Sequence, residues 1–347
     1  MEHISFHSIE QFRHTVKCVR DRAKYHNVPL PILTFSGSVK LHGTNAAIGY
    51  DYSTDEMWCQ SRTNIITVLN DNAKFTWFVK EREEIFRNFF QEIRSSFPSG
   101  KSKVVVFGEW CGEGIQKGVA INQVPKMFVI FDLCTLVYPS DERIWVPPNG
   151  LTEMWKRFND GFELNRIFCV HNFETFSIEI DFNNPELLQN QLVELTNQVE
   201  QSCPVGKTFG VDGVGEGIVW RCTSNWLNGN GIITTSDLVF KVKGEKHSDT
   251  KVKKLASVDV ERMQTISDFA SSVVTDHRLE KMLELVKQDG LEIEPRSIPV
   301  FLKLVGQDIM KEESDTMEEN GFERKEVMPV VSRLARNWFL ELCQKVS

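Results

Sequence analysis

Lys40 lies in the stretch Ser38-Val39-Lys40-Leu41-His42-Gly43-Thr44-Asn45, directly after the strand-like run Pro31 to Phe35. An amine at the mouth of a buried strand, followed by a glycine and two small polar residues, can act as a nucleophile aimed at a phosphate. It can equally be a surface lysine leading into a turn, because a K-x-x-G tetrapeptide is common by chance. Two further lysines, Lys241 and Lys243, sit at i and i+2 in "LVFKVK", a spacing that points both to one face of a strand. Like charges on one face repel unless an anion lies between them, and a phosphate suits that place. Glu216 is enclosed in Gly215-Glu216-Gly217, and Glu109 ends the apolar run "KVVVFGEW". Arg62 follows another strand candidate in Ser61-Arg62-Thr63, and Val129-Ile130-Phe131-Asp132 combines an aromatic ring with an acid.

These residues need strands to hold them. Up to about residue 255, short runs rich in Val, Ile, Phe and Trp read as strands: "PILTF", "AAIGYD", "EMWCQS", "KVVVFGEW", "KMFVIFDLC", "RIFCV", "GIVWRC" and "DLVFKVK". Apolar residues at helical spacing from Phe75 to Ile93 predict one helix, and "ELLQNQLVELTNQV" after Asn184-Pro185 predicts another. Short strands with hairpin and helical insertions favour an α+β domain with antiparallel sheets over a doubly wound one. Beyond Lys254 the pattern turns helical. Leu279, Met282, Leu283 and Val286 form one stripe, with Thr275-Asp276 as cap and Gly290 as stop. Phe301, Leu302, Val305 and Ile309 form a second, with Ser297 as its cap; Val327, Val331, Leu334, Trp338 and Leu342 form a third, with Pro329 near its start. Two domains are expected, 1–255 and a small all-α domain over 256–347.

Composition narrows the class. The chain has 347 residues, 41% hydrophobic and 25% charged, an ordinary globular balance. No apolar run approaches the ~18 residues of a membrane helix, and "MEHISFHSIEQFRH" lacks a signal-peptide core. The eight cysteines include no C-x-x-C pair, which argues against a zinc site or a disulfide framework and for a reducing, intracellular (cytoplasmic) setting. A net charge of −8 argues globally against nucleic acid, yet six lysines fall between Lys241 and Lys254 against Glu245 and Asp249. Such a segment can face a phosphate backbone even on an acidic protein.

The order K-x-x-G, S-R, F-G-E, F-D, E-G-I-V and K-V-K resembles the covalent nucleotidyltransferase superfamily of ATP-dependent ligases and capping enzymes. It is most similar to the bacteriophage RNA ligase 2 family, through "KLHGTN", "VFGEWCGEGIQK", "EGIVW" and "KVKGEKHSDTKVKK". The helical end, "RLARNWFLELCQKVS", resembles that family's C-terminal domain, so the likeness runs over essentially the whole chain. The resemblance implies an antiparallel-sheet adenylation domain, ATP and Mg²⁺ (or Mn²⁺), and RNA bearing 3′-hydroxyl and 5′-phosphate ends, as in a nicked duplex, acted on by a monomer with no membrane partner.

It also implies roles. Lys40 becomes the nucleophile that takes AMP. A free lysine has a pKa of ~10.4, so roughly one in a thousand is neutral near pH 7; Lys241 and Lys243 would lower that pKa and hold the α-phosphate. Glu216 would bind the metal and the nucleotide, Glu109 the ribose, and Phe131 and Val219 the two faces of adenine, with Val39 and Arg62 also at the nucleotide. His42, Asn45, Arg221 and Lys246 would serve RNA or the later steps, with Lys251 to Lys254 tracking phosphates. Two positions depart from the family: Ser38 replaces an arginine, and Arg221 replaces a lysine. DNA ligases and capping guanylyltransferases usually carry Asp where this chain has His42, and a β-barrel where it turns helical. A DNA ligase, a guanylyltransferase and an inactive RNA-binding relative are the competing expectations.

Overall fold

The computed structural model describes residues 1–96, 101–137, 142–228, 231–247 and 266–346. The expected α+β class holds. The chain forms two compact units, Met1–Gly244 and Glu245–Ser347; the expected boundary at residue 255 falls outside the described residues.

In chain order the first unit begins with β1 (Glu10–Gln11), α1 (Phe12–His26), β2 (Ile32–Lys40), β3 (Thr44–Asp51), β4 (Glu56–Ser61) and β5 (Ile65–Ile66). Helices α2 (Phe75–Lys80) and α3 (Glu83–Ser96) follow, then β6 (Lys101–Cys111), β7 (Met127–Val137), β8 (Glu142–Trp145), α4 (Pro148–Trp155), α5 (Asn159–Leu164), β9 (Ile167–Cys169) and β10 (Thr175–Asp181). It closes with α6 (Gln189–Gln201), α7 (Pro204–Thr208), β11 (Gly217–Cys222), β12 (Trp226–Asn228), β13 (Gly231–Ile233) and β14 (Val239–Lys243). All eight strands expected from sequence are present. The single helix expected over Phe75 to Ile93 is two, because the chain turns between Lys80 and Glu83.

Two large sheets and the small β12–β13 pair build the unit. One has the order β1-β14-β11-β2-β10; the other runs β5-β4-β3-β6-β7-β8, with β9 also on β7. Pairing is antiparallel except for β1 with β14 and β9 with β7. Period-two alternation gives the five-stranded sheet two unlike faces. Leu33, Phe35, Val39, Ile178, Ile218, Trp220 and Phe240 enter an apolar core shared with Val19 and Ala23 of α1 and Leu192 and Val199 of α6. Ser36, Ser38 and Lys40, with Val219, Arg221, Lys241 and Lys243, occupy the opposite face. In the larger sheet Ile48, Val104, Val106, Trp110, Phe128 and Ile130 pack under α2 and α3.

One irregularity matters for the site. Phe107 pairs with Asp132 but Gly108 pairs with Ile130, so Phe131 is the extra residue of a bulge. A bulge re-aims side chains. Asp132 ion-pairs with Arg221 of the other sheet, and Phe131 packs against apolar clusters of both sheets. Ordinary alternation would send these neighbours to opposite faces.

The second unit holds α8 (Ile266–Val273), α9 (Asp276–Gln288), α10 (Ile298–Glu319) and α11 (Arg324–Val346) around their own core. Thr275 caps α9 by accepting from the Arg278 backbone N–H, and Gly290 ends that helix at φ 76°. Ser297 stands at the start of α10 without capping it; its hydroxyl donates to the Glu292 carbonyl at 2.7 Å. No helix among the described residues is long and apolar enough to cross a membrane.

Candidate active site

Strand register sets the frame. Lys40 pairs with Gly217 and Gly217 with Lys243, so the two lysines flank a glycine on one rung. The next rung is Ser38–Val219–Lys241. Strands lie ~4.8 Å apart, which puts the backbones of Lys40 and Lys243 about 10 Å from each other. Glu216, immediately before β11, spans that gap. Its Oε2 accepts from Lys40 Nζ at 2.8 Å, and its Oε1 lies 3.5 Å from Lys243 Nζ. His42 Nδ1 is 3.5 Å from Oε2.

The Gly-Glu-Gly sequence now has a physical cause. A Cβ on Gly215 would meet the Val199 carbonyl oxygen at 2.6 Å, and one on Gly217 would meet the Val242 oxygen at 2.2 Å. Gly217 also holds φ +152°, a conformation that side chains disfavour. The carboxylate is thereby clamped between α6 and β14, and the Gly244 N–H donates to the Glu216 carbonyl at 3.0 Å. Glu216 is 3% exposed. Burial alone would raise its pKa, but Lys40, the His42 hydrogen bond and Lys243 together hold it well below the usual carboxylate range.

Glu109 is placed by β6, opposite Asn45 on β3. Its Oε1 accepts from the Gly43 N–H at 2.8 Å, which anchors the turn after Lys40. Desolvation raises its pKa to about 7; Lys40 opposes this, and Glu216 adds to it. Two carboxyls near one lysine, Glu216 buried and Glu109 half-buried, thus titrate in opposite directions. Asn72 Nδ2 donates to Thr44 Oγ1 at 3.0 Å and Gln116 Nε2 to the Gly43 carbonyl at 3.3 Å, so two loops hold this turn.

Arg221 lies one rung beyond Val219, and its guanidinium donates to Asp132 across the cleft. Burial raises Asp132 to about 6, with Arg221 opposing. Phe131 packs edge-on against Phe6, ring centroids 5.1 Å apart. Phe6 belongs to an N-terminal strap. Its Ile4 N–H donates to Gln60 Oε1 at 3.1 Å, and Gln60 Nε2 returns a bond to the Ile4 carbonyl at 2.6 Å. His7 follows, its pKa lowered to about 4 by burial, then by Arg221.

The structure therefore brings together Lys40, His42, Glu109, Glu216 and Lys243, with Asn45, Val219 and Lys241 on adjoining positions. Val39 points its side chain into the core, 2% exposed. Ser38 is buried, between Thr175 and Val219 on its rung. Arg62 is exposed just beyond β4. Lys246 belongs to the second unit, and Lys251 to Lys254 lie outside the described residues. Sequence reasoning quoted Asp132 without giving it a task, and it missed the strap. The alternation in "HISFHSI" was the available signal.

The family model described as RNA ligase matches residues 34–243, more than half of the chain. The chain belongs to the RNA ligase family. The match begins within β2 and ends on Lys243, so the family region holds every candidate residue except Lys246 and Lys251 to Lys254, while the strap and the helical unit lie outside it. No curated protein matches the chain. Among solved structures it is similar to Naegleria gruberi RNA ligase in several states. A variant with AMP and Mn shows 14% identity over 70% of this chain and 56% of that one, TM-score 0.46. The form with PPi shows 16% over 70% and 56%, TM-score 0.45, and an apo variant 17% over 71% and 58%, TM-score 0.46. The chain thus spans a little over half of that ligase's length.

Among the described residues no group of three or more His, Cys, Asp or Glu side chains could hold a metal. The donors at the site are the Glu216 carboxylate and the nearby Glu109. That set suits a hard ion such as Mg²⁺, which keeps waters and binds one or two carboxylates together with substrate phosphates.

Proposed function

We propose that the protein is an ATP-dependent RNA ligase that seals 3′-hydroxyl/5′-phosphate breaks through a lysyl-AMP intermediate. The observation that carries this reading is the convergence of Lys40, His42 and Lys243 on one buried carboxylate, Glu216. Cations gathered at a strand edge suit a polyanion, and the reactive amine is among them.

The deprotonated Lys40 amine attacks the α-phosphorus of ATP. The N–P bond forms as the bond to the bridging oxygen breaks, and pyrophosphate leaves. Lys241 and Lys243 hold the α-phosphate oxygens as charge builds. The 5′-phosphate of RNA then attacks the same phosphorus and frees Lys40. Finally the 3′-hydroxyl attacks the adenylated 5′-phosphate, the phosphodiester forms and AMP leaves. Glu216, with Glu109 beside it, would hold Mg²⁺ or Mn²⁺, which neutralises phosphate charge. Glu109 faces the ribose, Phe131 and Val219 flank adenine, and Val39 contributes backbone alone. Arg62, His42, Asn45, Arg221 and Lys246 serve the nucleotide and the RNA steps. The positioning terms resemble those of other phosphoryl transfers. We assign adenylation to residues 1–255 and RNA retention to the helical region 256–347, on a nicked duplex, with the protein acting as a monomer in the cytoplasm.

The test is covalent labelling. With Mg²⁺ and α-labelled ATP the protein should retain label through a denaturing gel, and Lys40→Ala should lose it. Label persisting in that variant, or label from GTP alone, defeats the assignment.

A further inference from the structure

Of the eight tryptophans, Trp77 alone is exposed, at 47%. It lies on α2, where Lys80 three residues on shares its stripe, and Lys74 is the left-handed residue that leads into the helix. The Lys80 ammonium stands 5.5 Å from the centre of the indole. Lys126 joins the stripe through its Nζ, which donates to the Ala73 carbonyl at 3.0 Å. The nearby acids are engaged: Asp71 accepts from the Thr76 backbone N–H at 2.8 Å, and Glu81 pairs with Arg82 at 3.1 Å. On a chain of net charge −8, three lysines around an exposed aromatic form a patch of opposite sign.

The patch adjoins the site. Asn72, two residues before Lys74, bonds Thr44 on the turn that follows Lys40. The Ala73 carbonyl also accepts from Trp110 Nε1 at 3.2 Å, next to Glu109. An indole beside ammonium groups matches the two demands of a single nucleic-acid strand, a flat surface for bases and positive charge for phosphates.

We propose that Trp77, with Lys74, Lys80 and Lys126, is an RNA-binding surface of the first unit, on which the indole stacks a base of a strand leaving the break. This rests on the ligase reading above. It adds an RNA contact that does not depend on the helical unit.

The experiment measures binding of a fluorescein-labelled RNA duplex with one 5′-phosphorylated nick to the full chain by anisotropy, alongside lysyl-AMP formation. Trp77→Ala should weaken RNA binding roughly 5- to 150-fold, the worth of one stacked base, and Trp77→Phe should restore most of it. Replacing Lys74, Lys80 and Lys126 together by Ala should lower the slope of log affinity against log salt by about 2. Lysyl-AMP formation should not change in any of them. Wild-type affinity in Trp77→Ala, with lysyl-AMP still formed, overturns this surface alone. Weakened binding in a protein that never forms lysyl-AMP overturns the ligase reading and leaves the surface standing. An absence of RNA binding by the wild type overturns both.

Discussion

Each unit contains a buried cluster of opposite charges, and the two are built differently. In the helical unit Arg278 is fully buried. Its guanidinium donates to Asp308 at 2.9 Å, to Glu313 at 3.1 Å and to the Val273 carbonyl at 2.6 Å, while Lys281 reaches Asp308 at 3.0 Å. Two cations meet two carboxylates, and the central cation is a rigid fork that stays charged. At Glu216, lysines and a histidine converge on a carboxylate with Glu109 nearby, and Lys40 keeps 22% of its side chain exposed. A balanced arginine network ties helices together. A lysine cluster whose central amine stays partly exposed is suited to a visitor. Buried charge alone therefore does not mark function; access does.

Three changes can break or sharpen this contrast. Arg278→Ala takes the guanidinium from Glu313, leaves Asp308 to Lys281 and should cost about 3–5 kcal/mol of stability, read as a lower urea midpoint. Lysine labelling below the transition should persist; an unchanged midpoint would show that the network does not hold the helices. Lys241→Ala and Lys243→Ala should do the reverse. Each should slow lysyl-AMP formation roughly 10²–10³-fold with a small change in melting. If both variants label at the wild-type rate, the cluster has no claim on the phosphate.

The smallest effect concerns Glu109. Its folded pKa, about 7, lies above its ordinary 4.5, so the folded state binds the extra proton between these values. That contribution is fully present below the unfolded pKa and is lost as pH rises through about 7, at up to about 1.36 kcal/mol per pH unit. Glu216 has the opposite sign and acts below 4.5, because its folded pKa is depressed. Asp132 shares the sign of Glu109 but is present in both proteins being compared. Relative to Glu109→Gln, the wild type should be more favoured at pH 5 than at pH 7.5. Parallel urea midpoints at the two values would contradict the shift.

What the sequence disclosed was local. A lysine at a strand end, two lysines with i, i+2 spacing and a glycine-flanked glutamate could be read because strand periodicity converts spacing into direction. The stripe of α9 and its Thr275 cap were legible for the same reason. The bulge at Phe131 was not, since one extra residue in a ladder leaves no mark in "VIFDL". Nor was the Arg221–Asp132 pair, which joins residues 89 positions apart. Val39 shows the opposite failure. Motif order placed it at the nucleotide, while alternation next to Lys40 had already turned its side chain to the core.

The Arg221–Asp132 pair has a mechanical side. It is a strut from the floor of one sheet to the wall of the other, set where the bulge brings Asp132 within reach. Parting the sheets there would break a buried, charged contact, while at the Lys40 end Glu109, Asn72 and Gln116 tie down the turn that links the sheets. The cleft is thus braced at both ends, by an ion pair at one and by a hydrogen-bonded turn at the other.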